Sequence, residues 1–73
     1  MVKIKLFATL RTGREDIYDV PGDQFSTAQE VVDFYNIEQK DVSIFLINGI
    51  HSKMDATIKD GDVIAIFPPV GGG

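Results

Sequence analysis

The residue types able to do chemistry are few in this chain, and the most suggestive of them stand at its end, where Val70 is followed by Gly71, Gly72 and Gly73. Glycine has no side chain, so such a run is flexible and as thin as a polypeptide becomes. Fully extended, Pro68 to Gly73 spans roughly 20 Å. Pro68 and Pro69 stiffen the first part of that reach, and the glycines can thread a narrow channel. The only reactive group delivered is the α-carboxylate of Gly73, ionised at neutral pH and uncrowded by a Cβ. Such a carboxylate can attack the α-phosphorus of a nucleotide held by another protein, become an acyl adenylate, and then meet a sulfur or amine nucleophile. Terminal glycines are elsewhere often a frayed, solvated end. Against that plain reading stands Phe67-Pro68-Pro69-Val70, a rigid apolar stretch placed directly before the glycines.

Other chemistry is poorly supplied. There is no cysteine, hence no disulfide, thiol nucleophile or thiolate metal site. His51 is the single histidine and reads as an exposed residue after a turn. Asp60 and Asp62 flank Gly61 as turn formers do, and Asp41 and Asp55 have no visible companions. No glycine-rich loop lies between a strand and a helix. A chain of 73 residues is also too small to wall off a large cavity. No catalytic residue, metal ligand set or cofactor site of its own is therefore expected. The net charge of −4 with a pI of about 4.6 repels phosphate backbones and anionic lipid, so neither nucleic acid nor a membrane is an expected partner. A partner steered by charge should be basic. No apolar run approaches the ~20 residues of a membrane span, and the start has no signal-peptide pattern, so a cytoplasmic setting is the default.

The elements that must position the end can be read from periodicity. Val2, Ile4, Leu6, Ala8 and Leu10 alternate with Lys3, Lys5, Thr9 and Arg11, which predicts one strand with a buried face, while Phe7 suggests that the outer face is partly covered. Residues 12–16 read as a turn, and Ile17 to Val20 as a short second strand completing a hairpin before Pro21-Gly22-Asp23. Ala28, Val31, Val32 and Tyr35 form one helical stripe. Thr27 and Glu30 fit a capping box, with Ser26 and Gln29 nearly as good, and Asn36 can end the helix in a left-handed conformation. So short a helix must lie on a sheet. Val42 to Ile47 is the next strand and Asn48-Gly49 a strong hairpin turn. Ile50 to Met54 makes an edge strand, and residues 55–59 a turn with one helical twist. Asp60-Gly61-Asp62 is a turn, and Val63 to Phe67 an apolar central strand closed by Pro68-Pro69. The first and last strands, being most apolar, want central positions. This order gives an α+β, β-grasp (ubiquitin-like) arrangement, a mixed sheet with one helix across one face. Residues 1–70 would form the domain and 71–73 its tail.

Gly61-Asp62-Val63-Ile64-Ala65-Ile66-Phe67-Pro68-Pro69-Val70 followed by glycines resembles the C-terminal signature of the MoaD/ThiS family of ubiquitin-like sulfur carriers, in particular molybdopterin synthase small subunits. Val2 to Arg11 is similar to their first strand, and Leu46-Ile47-Asn48-Gly49 to their turn before the fourth strand. The chain departs in a shorter stretch before the helix and in Gly71, which makes a Val-Gly-Gly-Gly ending similar to some thiamine-pathway carriers. The resemblance implies a carrier rather than an enzyme. Gly73 would be adenylated by an E1-like adenylyltransferase of the MoeB/ThiF type and converted to a thiocarboxylate. Gly71 and Gly72 would thread the partner's active site, and Phe67, Pro68, Pro69 and Val70 would dock at the tail base. The molybdopterin synthase large subunit is the implied acceptor of the sulfur, which serves molybdenum cofactor synthesis. Three alternatives stay open: a carrier for thiamine thiazole, one for tRNA thiolation, and a ubiquitin-like modifier joined to lysines.

Overall fold

In the computed structural model, which describes residues 1–69, the alternation at the start becomes β1 (Val2–Leu6), with Val2, Ile4 and Leu6 all buried. The predicted strand to Leu10 is cut short. Ala8 takes a left-handed φ of 52°, and Ala8–Arg11 wind into a 3-10 turn opened by the Leu10 N–H donating to the Phe7 carbonyl. Leu10 is still buried, and Ala8 lies exposed. Alternation thus marked the right buried residue but not the turn that carries it there.

Four further strands follow: β2 (Ile17–Val20), β3 (Ile44–Ile47), β4 (Ile50–His51) and β5 (Val63–Phe67). The sheet order is β2-β1-β5-β3-β4. β1 pairs antiparallel with β2 and parallel with β5, and β5 pairs antiparallel with β3. The two most apolar strands are therefore interior, as expected for segments that must hide both edges. β4 is two residues long, not the five expected, and β3 starts at Ile44 rather than Val42. Asn48 and Gly49 both have positive φ, 53° and 81°, the requirement of the tight two-residue hairpin turn. A further 3-10 turn at Gln39–Asp41 had no sequence signal.

The helix α1 (Ala28–Phe34) begins after Thr27 and ends as Asn36 adopts a φ of 56°. The expected Thr27–Glu30 capping box does not form: Thr27 makes no side-chain cap bond, and Glu30 accepts the N–H of Ser26, one residue before the cap, at 2.8 Å. The first helical N–H groups are satisfied from a distant loop: Ala28 donates to the Ala56 carbonyl at 3.0 Å and Gln29 to that of Met54 at 2.8 Å. Residues 55–59 are thus not helical. They run as a capping segment, with a single bridge between Thr57 and Thr27.

Ala28, Val31 and Val32 pack on the sheet with Ile4, Leu6, Phe45, Ile64 and Ile66, and Phe25, Ile37 and Ile58 close the core. Tyr35, the last stripe position, stands at the margin, its ring 4.5 Å from that of Tyr18. Among the described residues no buried side-chain polar atom lacks a partner. At the start of β1 the Met1 ammonium donates to the Asp60 carboxylate, and that hydrogen bond, reinforced by the ammonium charge, holds the Asp60 carboxyl below its ordinary value.

Ile66 on the inner face and Ile44 on the outer face separate these environments. Ile66→Val should cost about 0.5–1.5 kcal/mol and Ile44→Val less than about 0.5 kcal/mol, as read by urea unfolding. The depressed Asp60 pKa makes its contribution to stability complete above the unfolded value of 3.8 and lost as pH falls through the folded one. Melting followed from pH 6 downward should therefore show a shallower acid decline for Asp60→Asn than for the parent chain.

Candidate functional site

The last residue of the central strand is Phe67. Its carbonyl accepts the Ser43 N–H at 2.8 Å, and its Cα partner across the ladder is Ile44. Strand geometry decides where its ring points. Ile64 and Ile66 face the helix and are fully buried, so Val63, Ala65 and Phe67 face the other way. Phe67 is consequently half-buried and does not belong to the core. Its ring stacks on that of Phe7 with centroids 4.2 Å apart and planes 9° from parallel.

Phe7 is brought there by the continuation of β1: it is still extended, with φ −123° and ψ 152°, and alternation after Lys3 and Lys5 puts it on the outer face beside Phe67. Its N–H still donates to the Ile66 carbonyl at 3.2 Å, continuing the ladder by one bond before Ala8 turns the chain away. Arg11, carried back by the 3-10 turn, donates from Nε to the Leu6 carbonyl at 2.9 Å. Its guanidinium carbon lies 5.6 Å from the Phe7 ring centroid, within range of a cation–π contact, and Asp16 stands 3.6 Å from Nε. Arg11, Phe7 and Phe67 thus cluster at the point where β5 gives way to Pro68 and Pro69. Pro68 is half-buried and Pro69 exposed, both beyond the strand. The sequence marked Phe67, and in Phe7 a partly covered outer face, but not the stacking of the two rings or the place of Arg11.

Residues opposite one another in a ladder share a face. Phe67, Ile44, Leu46, Ala65 and Val63 accordingly form one apolar surface on the side of the sheet away from α1. Ile44 is 41% exposed, Val63 37% and, at the far edge, Ile17 47%. Lys3 and Lys5 lie on the same face, with Asp19 3.7 Å from Lys3. The charges on and beside this face are Lys3, Lys5 and Arg11 against Asp16 and Asp19, so the expectation of a basic partner, drawn from the whole-chain charge, does not extend to it. A contiguous exposed apolar surface of this kind is what a docking site requires.

His51 is exposed on β4, opposite Leu46. It borders an open cleft of about 460 Å³ lined also by Phe45, Ser52, Met54 and Asp55, and among the described residues its side chain makes no hydrogen bond or ion pair. Among the described residues no group of three or more His, Asp or Glu could hold a metal ion, and no helix is long and apolar enough to cross a membrane. Val70, Gly71, Gly72 and Gly73, with the domain boundary placed after residue 70, lie outside the described residues.

The sequence profile of the ThiS family matches residues 4–73. None of the curated proteins compared with the chain matches at a significant level. Among solved structures, a candidate molybdopterin converting factor subunit 1 of Pyrococcus furiosus is 27% identical with a TM-score of 0.71, covering 94% of this chain and 97% of that one. Small archaeal modifier protein 1 of Haloferax volcanii is likewise 27% identical, with a TM-score of 0.69 and the same coverage of both chains. A chain in the complex of subunits 1 and 2 of molybdopterin-converting factor from Helicobacter pylori has a TM-score of 0.66 at 22% identity, over 99% of this chain and 97% of that one, a likeness of fold.

Stacking at the strand end is open to direct measurement. A double-mutant cycle on Phe7→Ala and Phe67→Ala, read by chemical denaturation, should give a coupling of about 0.5–1.5 kcal/mol, and additive losses would show that the rings merely lie side by side.

Proposed function

This chain belongs to the ThiS family, whose members share the ubiquitin-like β-grasp fold of its structural neighbours, and we propose that it carries sulfur as a thiocarboxylate on Gly73 for molybdopterin synthesis. The observation that carries the reading is the junction at Phe67. The most deeply embedded strand ends beside an uncovered apolar face, and the residues that follow it in sequence are Pro68-Pro69-Val70-Gly71-Gly72-Gly73. A partner docked on that face meets the root of the segment at a fixed place. The segment then needs only length and slenderness to bring a carboxylate into the partner's site.

In this reading the chain supplies the acyl group and no catalyst. A Gly73 carboxylate oxygen attacks the α-phosphorus of ATP bound by an E1-like adenylyltransferase. A new P–O bond forms and pyrophosphate leaves. Hydrosulfide, or a donor at the same oxidation level, then attacks the acyl carbon, and AMP departs with the original oxygen. The thiocarboxylate so formed docks by the same face on an acceptor, the molybdopterin synthase large subunit. Phe67, Pro68, Pro69 and Val70 form the docking root, and Gly71 and Gly72 admit the segment where a Cβ would not pass. The similarity to the Pyrococcus furiosus subunit supports the molybdopterin acceptor. A cytoplasmic setting, where ATP is at hand, goes with the proposal.

The similarity to the Haloferax volcanii modifier protein is equal in identity and favours a second reading, in which the same adenylate is passed to lysine amines.

Incubation with an E1-like adenylyltransferase, ATP and sulfide, followed by intact mass, separates the two. One oxygen exchanged for sulfur is expected, and removal of Gly73 should abolish the exchange while leaving thermal unfolding unchanged. Conjugates on other proteins without that exchange would establish the modifier instead, and an unaltered mass with no conjugates would refute both.

A further inference from the structure

We propose that the free edge of β2 is a binding site for an extended segment of a partner protein, in which basic and apolar residues alternate, added to the sheet as a further strand. The inference does not rest on the carrier reading and concerns a different part of the molecule from the residues before Pro68.

β2 is an outer strand of the sheet. Antiparallel neighbours alternate between residue pairs that exchange backbone hydrogen bonds and pairs that do not. The Leu6 N–H donates to the Asp16 carbonyl at 2.8 Å, which sets the phase of that alternation. In the register Ile4↔Tyr18 and Val2↔Val20, Tyr18 and Val20 therefore turn their backbone groups toward β1, and Ile17 and Asp19 turn theirs away from the sheet. Among the described residues no turn, loop or cap bond reaches the Ile17 or Asp19 backbone. Open edges are commonly shielded by lysine, proline or a bulge. Residues 17–20 include no lysine or proline, and their pairing with β1 runs without interruption. The other outer strand, β4, has only two residues. An apolar strip flanks the open edge of β2. The Tyr18 ring lies 4.5 Å from that of Tyr35, the Tyr35 ring 4.9 Å from that of Phe34, and the Phe34 ring 5.4 Å from that of Phe25. These rings connect the helix side of β2 to the end of α1, and Phe34 is 58% exposed. Arg14 holds the strip in place, donating to the Leu10, Tyr35 and Asn36 carbonyls at 3.1, 3.1 and 3.2 Å.

Charge and the chain's own pairing specify the occupant. From Glu15 to Asp23 the sequence holds Glu15, Asp16, Asp19 and Asp23 and no basic residue. Asp16 and Asp19 lie 3.6 and 3.7 Å from Arg11 and Lys3. Glu15 and Asp23, one beyond each end of the strand, form no ion pair among the described residues. Two copies joined through their β2 edges would set these carboxylates against each other, and like charges facing across a ladder destabilise it. A basic segment is favoured for the same reason. The edge of β2 that is already occupied shows a pattern that fits. β1 presents Val2, Ile4 and Leu6 inward and Lys3 and Lys5 outward, with Lys3 opposite Asp19 and Lys5 opposite Ile17. A partner segment of like pattern lays its basic residues opposite Ile17 and Asp19 and its apolar residues over Tyr18 and the ring strip. Main-chain bonds to Ile17 and Asp19 give such a segment affinity, while the rings and carboxylates select its sequence.

The probe is a peptide of alternating lysine and valine, blocked at both ends and added to the full chain. At about ten times its Kd, hydrogen exchange of the Ile17 and Asp19 amides should slow about 10-fold, while the Ile50 and His51 amides of β4 keep their rates. Two further peptides carry N-methyl groups on alternate residues, one on the lysines and one on the valines. In an added strand only one of these sets turns its N–H groups to β2, so one methylated peptide should lose binding and the other retain it. Equal loss in both, or equal binding by both, would overturn the proposal. Asp19→Pro deletes an outward donor at a place where an edge strand accepts proline. It should weaken binding about 5-fold or more, the factor one net hydrogen bond makes. Asp19→Asn keeps the donor, so it should lose less and flatten the salt dependence of binding. Should Asp19→Pro fail to fold, the methylated pair decides the matter on the parent chain. Protection centred on the Ile44 and Phe67 face or on β4 would overturn the proposal. A dimer of the chain alone that Asp19→Pro disperses would also overturn it, by assigning the edge to a second copy.

Discussion

Everything in this molecule is arranged around the placement of β5 between β1 and β3. A strand hydrogen-bonded on both sides, with its inner face under a helix, is the hardest segment of a small domain to displace. Ile64 and Ile66 are fully buried, and the ladder continues beyond the strand ends through the Phe7 N–H to the Ile66 carbonyl and the Ser43 N–H to the Phe67 carbonyl. The chain thus spends its best-anchored element on the residues immediately before Pro68. In a domain of 73 residues, where net stability is small, that is a strong constraint on where function can sit.

The same placement explains why one face of the sheet is left apolar. The single helix covers one side only, so Val63, Ala65 and Phe67 look outward together with Ile44 and Leu46. An enzyme of this size would have to build a pocket. The carrier proposed above needs only a surface to be held by and a group to present, and here β5 contributes to the surface and leads in sequence to Pro68 and the residues after it. Phe7 braces the end of this strand: still extended one residue past β1, it falls on the outer face and stacks its ring on that of Phe67.

Much of this was legible because it depends on local pattern. The alternation of Val2, Ile4 and Leu6, the helical spacing of Ala28, Val31 and Val32, and the Asn48-Gly49 turn each follow from side-chain geometry within a few residues. The apolar runs of β1 and β5 also sufficed to place both strands inside the sheet. What escaped was non-local. Ala8 has no local reason to turn left-handed, and alternation through Leu10 points the other way. The helix start borrows carbonyls from Met54 and Ala56, more than twenty residues on, and these take the place of the Thr27–Glu30 box. β4 stops at His51 because the chain leaves to supply those carbonyls, which shortens the expected edge strand. At the candidate site, Phe67 was visible as the end of an apolar run, but its outward direction and its pairing with Phe7 and Arg11 required the sheet to be assembled.

The central claim is that the terminal carboxylate is the group that reacts, and it is tested most directly by changing that group alone. The chain prepared with a C-terminal carboxamide keeps the fold and the apolar face but lacks the nucleophilic oxygen. In ATP–pyrophosphate exchange with an E1-like adenylyltransferase, the carboxylate form should support exchange, and the carboxamide form should bind, compete with it and support none. Equal exchange with both forms would contradict the account, since the adenylated group would then lie elsewhere.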